Sequence, residues 1–345
     1  MATGKNKKGN FIMQAGILAM AGIIVRIIGI LYRSPLVAII GDEGNGYYNT
    51  AYAIYTIILL VSSYSIPSAI SKVIAARLGV GEYKNAHRLF MGALLYVIIM
   101  GGIGSFVCFV YAGKLVGENS AHVLRIFAPT IFFSGILGTL RGYFQAHQTM
   151  VFTSYSQILE QIINASVSIG TAYIFVKALT QGGEAETTIA IGGAKGSAMG
   201  TGAGVLIALA FMLLVYFVNM SYFRKRRKKD RTKELLNPIQ IGGIIFGMVT
   251  PVVLSTCIYN LSTASNLKIY QGIMQSDYGY TEAMATTAYG LFAGKAMQII
   301  NIPIAIASAM SSAIIPTIAH SHERGEYDSE KKKIASAIKA TMIIA

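Results

Sequence analysis

The chain has 345 residues, of which 54% are hydrophobic and only 13% are charged, and its mean hydropathy is +0.55. An ordinary soluble domain carries about twice that share of charge, so the composition excludes one. The formal charge of +14 would suggest nucleic-acid binding in a soluble chain, but the sharpest basic run, residues 224–229, lies between apolar blocks. We therefore predict no nucleic-acid partner.

Eight apolar blocks are long enough to cross a bilayer as helices. They cover residues 11–33, 47–70, 89–111, 122–143, 156–178, 188–219, 239–268 and 284–316, and a ninth block begins near Ile334. The sequence therefore predicts an all-α, polytopic transmembrane helical bundle. The first block is too long for a cleavable signal and lacks a small-residue cleavage site, so it is predicted to stay as a membrane helix.

The charges of the connecting segments predict the orientation of the bundle. The segments on one side contain 20 Lys and Arg residues. Those on the other side contain one basic residue, Lys114, and seven acidic residues. Cytoplasmic loops are enriched in Lys and Arg. We therefore expect the N-terminus and the basic segments to be cytoplasmic.

A short internal repeat predicts a larger architecture. The segment 62–67 is similar to 311–316, and each is followed by Gly-Glu-Tyr, at 81–83 and 325–327. Both segments end an even-numbered block on the same side, so the repeat is parallel and its unit has six helices. The second unit would then be incomplete, and we expect the chain to be truncated or partial.

Glycines recur every fourth residue in the sixth block, at Gly192, Gly196, Gly200 and Gly204. A helix face without side chains lets a neighbouring helix approach closely, so we predict a packing face. No His, Cys or acidic residues have catalytic or metal-ligating spacing. We predict neither an enzyme nor a metal or cofactor site.

Cations inside the apolar blocks are the candidate site residues, namely Arg26, Lys195, Lys268 and Lys295. A charge at mid-membrane costs at least about 2.5–3.5 kcal/mol, so it favours a watery cavity or a partner. A helix–helix contact is the alternative for Arg26, and snorkelling is the alternative for Arg33 and Arg141 near block ends. Only Glu160 among the acidic residues falls within a block, near its cytoplasmic end. Cations without carboxylates predict an anionic substrate such as a pyrophosphate.

Several segments together resemble the stage V sporulation protein B group of polysaccharide-biosynthesis proteins. They are residues 41–52, 66–72, 141–145, 156–161, 301–303 and 315–316. This group belongs to the multidrug/oligosaccharidyl-lipid/polysaccharide flippase superfamily and is close to the bacterial lipid II flippases.

The resemblance implies two six-helix lobes around a central cavity and transport by alternating access. The N-terminal lobe would cover residues 1–222, a basic cytoplasmic loop 223–238, and the start of a truncated second lobe 239–345. In the lipid II flippases, two arginines of the first helix face the cavity and meet the pyrophosphate. The resemblance implies that Arg26 and Arg33 correspond to this pair, although one extra residue separates them here.

We therefore expect a flippase in the bacterial cell membrane for an undecaprenyl-pyrophosphate-linked sugar, with membrane lipids as its other partners. Arg26, with Lys268 or Lys295, would pair with the pyrophosphate. An ion-coupled exporter of small molecules with the same fold is the first alternative. A membrane scaffold for cell-wall or spore assembly that transports nothing is the second.

Overall fold

The computed structural model describes residues 2–60, 66–230, 232, 234–292, 296–297, 300 and 327–344, and no strand occurs among them. The helices are α1 (Ala2–Leu59), α2 (Ile66–Gly79), α3 (Tyr83–Val110), α4 (Ala112–Val116), α5 (Glu118–Ala146), α6 (Val151–Gln181), α7 (Glu186–Lys228), α8 (Pro238–Ser276), α9 (Glu282–Leu291) and α10 (Tyr327–Ile344). Within these ranges, the 20–59 part of α1 together with α3, α5, α6 and α7 are long and apolar enough to cross a membrane. The predicted all-α transmembrane bundle is confirmed.

The connection between the first two predicted blocks is much shorter than the sequence suggested. Helix α1 has helical backbone on both sides of Gly41, which alone has non-helical dihedral angles (φ 70°, ψ 174°). A positive φ favours glycine because it has no Cβ. We call residues 2–40 the first arm of α1 and residues 42–59 the second arm.

The basic run predicted as a loop is helical as far as Lys228. Arg and Lys are good helix formers, and their charges are favourable at a helix C-terminus. Helix α8 then begins at Pro238 after a capping box formed by Asn237 and Gln240. The repeat segments 62–65 and 311–316 lie outside the described residues, and the division into lobes stays a prediction.

Helices α6 and α7 are in backbone contact along the predicted glycine face. A Cβ on Gly196 would lie 2.6 Å from the amide nitrogen of Ala172, and a Cβ on Gly200 would lie 2.5 Å from that of Ser168. The Ser168 hydroxyl donates to the carbonyl of Ser197 at 2.9 Å. The glycines therefore form a packing face, as predicted.

Helix α3 shows how the bundle presents itself to its surroundings. One face buries Phe90, Ala93 and Val97 in a core shared with α5 and α7. Large apolar side chains at Leu95, Ile99, Ile103, Phe106 and Val110 are exposed along another stripe of the same helix. An exposed apolar stripe of this length is typical of a helix that faces lipid.

The segment after α7 is held against the start of α3 by Asp230. The Asp230 carboxylate accepts hydrogen bonds from the backbone amides of Lys84 at 2.6 Å and Thr232 at 2.7 Å, and from the Thr232 hydroxyl. Desolvation raises the pKa of this carboxyl, but the hydrogen bonds outweigh it and the net pKa is lowered. The folded protein therefore favours the ionised carboxylate.

Substitution of Gly200 with Ala tests the backbone contact between α6 and α7. The added methyl would overlap Ser168 Oγ and backbone atoms of α6. We expect the free energy of unfolding in detergent to fall by about 1–3 kcal/mol, as for overpacked cores. Gly170→Ala is the matched control, because a Cβ there meets nothing within 4 Å. Equal effects of the two substitutions would contradict this assignment.

The Asp230 carboxylate predicts a pH-dependent stability. A lowered pKa in the folded state contributes stability above the ordinary value of 3.8, and this contribution is lost as the pH falls through the lowered value. We expect Asp230→Asn to lower the thermal midpoint at pH 7 but to match wild type in acid. Asp277→Asn, at an exposed carboxylate, should change little at either pH. A deficit of Asp230→Asn that persists undiminished in acid would rule out this explanation.

Candidate functional site

A cavity of about 610 Å³ lies between both arms of α1 and helices α5, α6 and α7. Its wall is formed by Gly29, Tyr32, Arg33, Tyr48, Tyr52, Tyr55, Leu59, Ser134, Leu137, Gly138, Arg141, Gln145, Gln157, Glu160, Gln161, Asn164, Thr201 and Val205. All of these residues belong to the first six predicted blocks or to the connections between them.

Polar residues at helical spacing produce this wall. Helix α6 contributes Gln157, Glu160, Gln161 and Asn164, which follow one another by three, one and three residues. Positions i, i+3, i+4 and i+7 share one face of a helix. A membrane-length helix with such a polar face must bury it against other helices or around a polar cavity.

An ion pair joins α5 to α6 in the cavity wall. Arg141 Nη2 lies 2.7 Å from Glu160 Oε2, and Arg141 Nε donates to Ser156 Oγ at 2.8 Å. The two charged side chains are 14% and 27% exposed. The pair fixes the guanidinium at the cavity surface, and among the described residues its third nitrogen, Nη1, has no acceptor.

A second guanidinium is contributed by the first arm of α1. Arg33 Nη2 donates to Asn49 Oδ1, and the guanidinium lies over the ring of Tyr48, 5.3 Å from its centroid. Within the part of the chain that the structure describes, Arg33 Nε is buried without a hydrogen-bond acceptor. A buried donor left in this state is costly. The residue itself is half-buried and lines the cavity, so the rest of its guanidinium is the part that a ligand could meet.

Three tyrosines of the second arm form an aromatic side of the cavity. The rings of Tyr48 and Tyr52 are stacked with centroids 5.7 Å apart, and Tyr55 stacks on Phe127 at 4.7 Å. Tyr48 and Tyr55 are buried, whereas Tyr52 is 40% exposed. Tyr52 is therefore the most exposed tyrosine of the three.

The structure places the predicted site cations in different surroundings. Arg33 lines the cavity, whereas Arg26 is exposed on the same arm of α1 and does not line it. Lys195 is half-buried on α7 and Lys268 is exposed on α8, and neither lines this cavity. Lys295 lies outside the described residues. The binding roles of all five residues stay predictions.

Arg141 and Glu160 were not among the candidate site residues. The sequence assigned Arg141 to a block end, where snorkelling explained it, and Glu160 to a position near the cytoplasmic end of its block. The structure pairs them in the cavity wall instead. The polar spacing on α6 was the signal that could have identified this wall. With Arg33, the described wall has two cations and one carboxylate.

One end of the α1 second arm is packed against α9 through backbone contacts. A Cβ on Gly46 would lie 2.3 Å from the carbonyl oxygen of Thr286, and one on Gly290 would lie 2.4 Å from that of Asp42. Asn45 Nδ2 donates to the Gly290 carbonyl at 3.1 Å. No side chain larger than hydrogen fits at either glycine without displacing the helices.

Comparison of the sequence with protein families identifies the class. The profile of the family described as "Polysaccharide biosynthesis protein" matches residues 12–322, which is most of the chain. The chain belongs to this family.

Curated relatives from Bacillus subtilis (strain 168) are similar along nearly the whole chain. An alignment over 97% of this chain gives 26% identity to the stage V sporulation protein B. An alignment over 99% of this chain gives 22% identity to the lipid II flippase MurJ. The chain spans 63% of the length of each of these relatives.

Solved structures with a similar fold include transporters of the multidrug/oligosaccharidyl-lipid/polysaccharide superfamily. An outward-facing multidrug resistance transporter of its MATE family matches 97% of the chain with a TM-score of 0.60 at 17% identity. A transporter of this superfamily from Pyrococcus furiosus also matches 97% of the chain, with a TM-score of 0.59 at 15% identity. At such identities the likeness shows the fold alone, and it confirms the predicted flippase-type bundle.

Loss of one partner of the Arg141–Glu160 pair should be more damaging than loss of both. Arg141→Met leaves the Glu160 carboxylate in the cavity wall without its cation. Breaking a fully buried pair costs about 3–5 kcal/mol, so about 1–3 kcal/mol is expected for this partly exposed one. Thermal unfolding of Arg141→Met, Glu160→Gln and the double variant measures the coupling. Strictly additive losses would contradict an energetic link between the two side chains.

Proposed function

We propose that this protein is a flippase for a lipid-linked anionic saccharide of the undecaprenyl-pyrophosphate-linked, lipid II-like type. It would move the headgroup from the inner to the outer leaflet by alternating access. Membership of a polysaccharide biosynthesis family, the similarity to a relative named as a lipid II flippase and the cationic cavity support this proposal.

The half-buried Arg33 guanidinium in the cavity wall is the observation that carries the proposal. Arg33 lines the cavity together with a second cation, Arg141, and no ion pair of Arg33 is found among the described residues. Phosphate oxygens are strong acceptors that match the planar fork of a guanidinium. Charge-assisted hydrogen bonds of this kind strengthen where water is scarce. We assign Arg33 and Arg141 to the pyrophosphate.

Glu160 has a defined part in this arrangement. It balances Arg141 when the cavity is empty, so that one net positive charge, that of Arg33, remains in the described wall. Because Glu160 holds only Nη2 of Arg141, a phosphate oxygen can reach Nη1 without breaking the ion pair. Arg33 would then supply the attraction, and Arg141 would orient the phosphate.

The predicted topology assigns a direction to the cavity. Helix α5 would run from the outer to the inner side, and its lining residues, from Ser134 to Gln145, lie in its second half. The close contact of the α1 second arm with α9 would lie at the outer end. With the N-terminus in the cytoplasm, the α5 part of the cavity wall would lie toward the inner leaflet, and this placement supports loading of the headgroup from inside.

Transport would make and break no covalent bond, so the protein is proposed to be a transporter and not an enzyme. The lobe at 1–222 would hold the described cavity, and the segment from 239 would begin the second lobe, which rocks against it. The polyprenyl chain would stay in lipid while the headgroup crosses. At other stages of the passage, the substrate would meet the remaining predicted cations, Arg26, Lys195, Lys268 and Lys295.

An ion-coupled exporter of small molecules is the second candidate. The carboxylate of Glu160 in the cavity favours it, since a carboxylate can bind a cation or a proton. The ion pair with Arg141 weighs against it, because the negative charge is already balanced. A scaffold that transports nothing is the third candidate, and it would need no cavity.

Flipping of a fluorescent lipid II analogue in liposomes tests the proposal. We expect wild type to flip the analogue and Arg33→Ala to slow flipping at least about tenfold, since a charged hydrogen bond contributes about 1.5–3 kcal/mol. Arg224→Ala removes an exposed arginine at the end of α7 and is the matched control. Flipping by wild type and Arg33→Ala at equal rates would refute the role of Arg33. Export of a small cation without flipping would favour the second candidate.

A further inference from the structure

We infer that the cavity contains a saccharide subsite beside the guanidinium of Arg33, formed by the ring of Tyr52 and the side-chain amides of Gln157 and Gln161. The subsite would bind the sugar that is attached directly to the pyrophosphate. This inference rests on the proposed function, since it assumes that a pyrophosphate-linked headgroup enters the cavity.

The order of groups along α1 places a sugar at Tyr52. The Arg33 guanidinium covers the ring of Tyr48, and the next ring in the stack is Tyr52. A phosphate bound at Arg33 would therefore have its attached sugar one ring further along. Tyr48 is covered and buried, whereas Tyr52 is 40% exposed and lines the cavity.

An exposed aromatic ring next to a polar wall suits a pyranose. The axial C–H groups of a sugar give it an apolar face that packs on an aromatic ring, and its rim carries hydroxyls. Tyrosine has the same division between an apolar face and a polar end. The volume of 610 Å³ lies within the range of about 300–1,000 Å³ for small-molecule sites, so a sugar fits beside a phosphate.

The amides of α6 supply groups for the hydroxyl rim. Gln157 and Gln161 are one helical turn apart on the polar face of α6, and both line the cavity. Across the described residues, neither side-chain amide takes part in a hydrogen bond within the protein. Each amide offers a donor and an acceptor, which match a hydroxyl that both donates and accepts. Because the amides are neutral, they can form hydrogen bonds with hydroxyls without changing the net charge that attracts the phosphate.

The test compares two lipids that differ only in the sugar, undecaprenyl pyrophosphate and the same lipid carrying a disaccharide. Dissociation constants are measured for wild type, Tyr52→Leu and Tyr52→Trp in nanodiscs. We expect Tyr52→Leu to weaken binding of the disaccharide lipid about five- to tenfold, the range of an aromatic contact, and to leave the bare pyrophosphate lipid unchanged. Tyr52→Trp should keep the affinity of wild type.

The natural absence of tryptophan adds a direct readout. The chain has none, so Trp at position 52 is the sole tryptophan and its emission should shift with the disaccharide lipid more than with bare pyrophosphate. Tyr155→Leu, at an exposed position of α6 outside the cavity wall, is the control for loss of a tyrosine. Gln157→Leu should also weaken binding of the disaccharide lipid and leave binding of the bare pyrophosphate lipid unchanged.

The outcomes separate this inference from the proposed function. If Tyr52→Leu changes the affinity for neither lipid, or weakens both equally, the saccharide subsite is wrong while the pyrophosphate site stands. If wild type binds neither lipid, the proposed function fails and the subsite falls with it.

Discussion

The cost of placing charge inside an apolar helical bundle governs the site. Arg33, Arg141 and Glu160 lie on helices long and apolar enough to cross a membrane, where an isolated charge costs several kcal/mol. Glu160 compensates Arg141, whereas the partners of Arg33 among the described residues are a neutral amide and an aromatic face. The cavity gives these groups polar surroundings. Arg33, which no carboxylate pairs with among the described residues, sets the sign of the ligand that we propose.

The packing of α6 on α7 holds this wall in place. Gly196, Gly200 and Gly204 let the two backbones touch, so that α6 cannot rotate without separating the pair. Its polar face is thereby fixed toward the cavity, with Glu160 opposite Arg141 of α5. The glycine contact therefore contributes to function indirectly, because it determines where the carboxylate and the amides of α6 point.

The sequence predicted the helical bundle and the glycine face well, because both depend on local composition and spacing. It failed at Gly41, where one residue replaces an expected loop, since a positive φ at glycine leaves little trace in hydropathy. The sequence also selected candidate site cations by how deep each lies within its apolar block. Lining depends on helix rotation, which hydropathy does not fix, so Arg33 is in the wall and Arg26 is outside it. The pairing of Arg141 with Glu160 needs two helices to be placed together, and the polar spacing on α6 was its only local sign.

Binding of undecaprenyl pyrophosphate compared with uncharged undecaprenol, at several salt concentrations, tests the central claim most directly. The account predicts that the purified protein binds the pyrophosphate much more tightly than the alcohol. It also predicts that this preference weakens as salt screens the attraction during entry into the cavity. Equal affinity for the two lipids at every salt concentration would contradict an anion-binding cavity and, with it, the proposed mechanism.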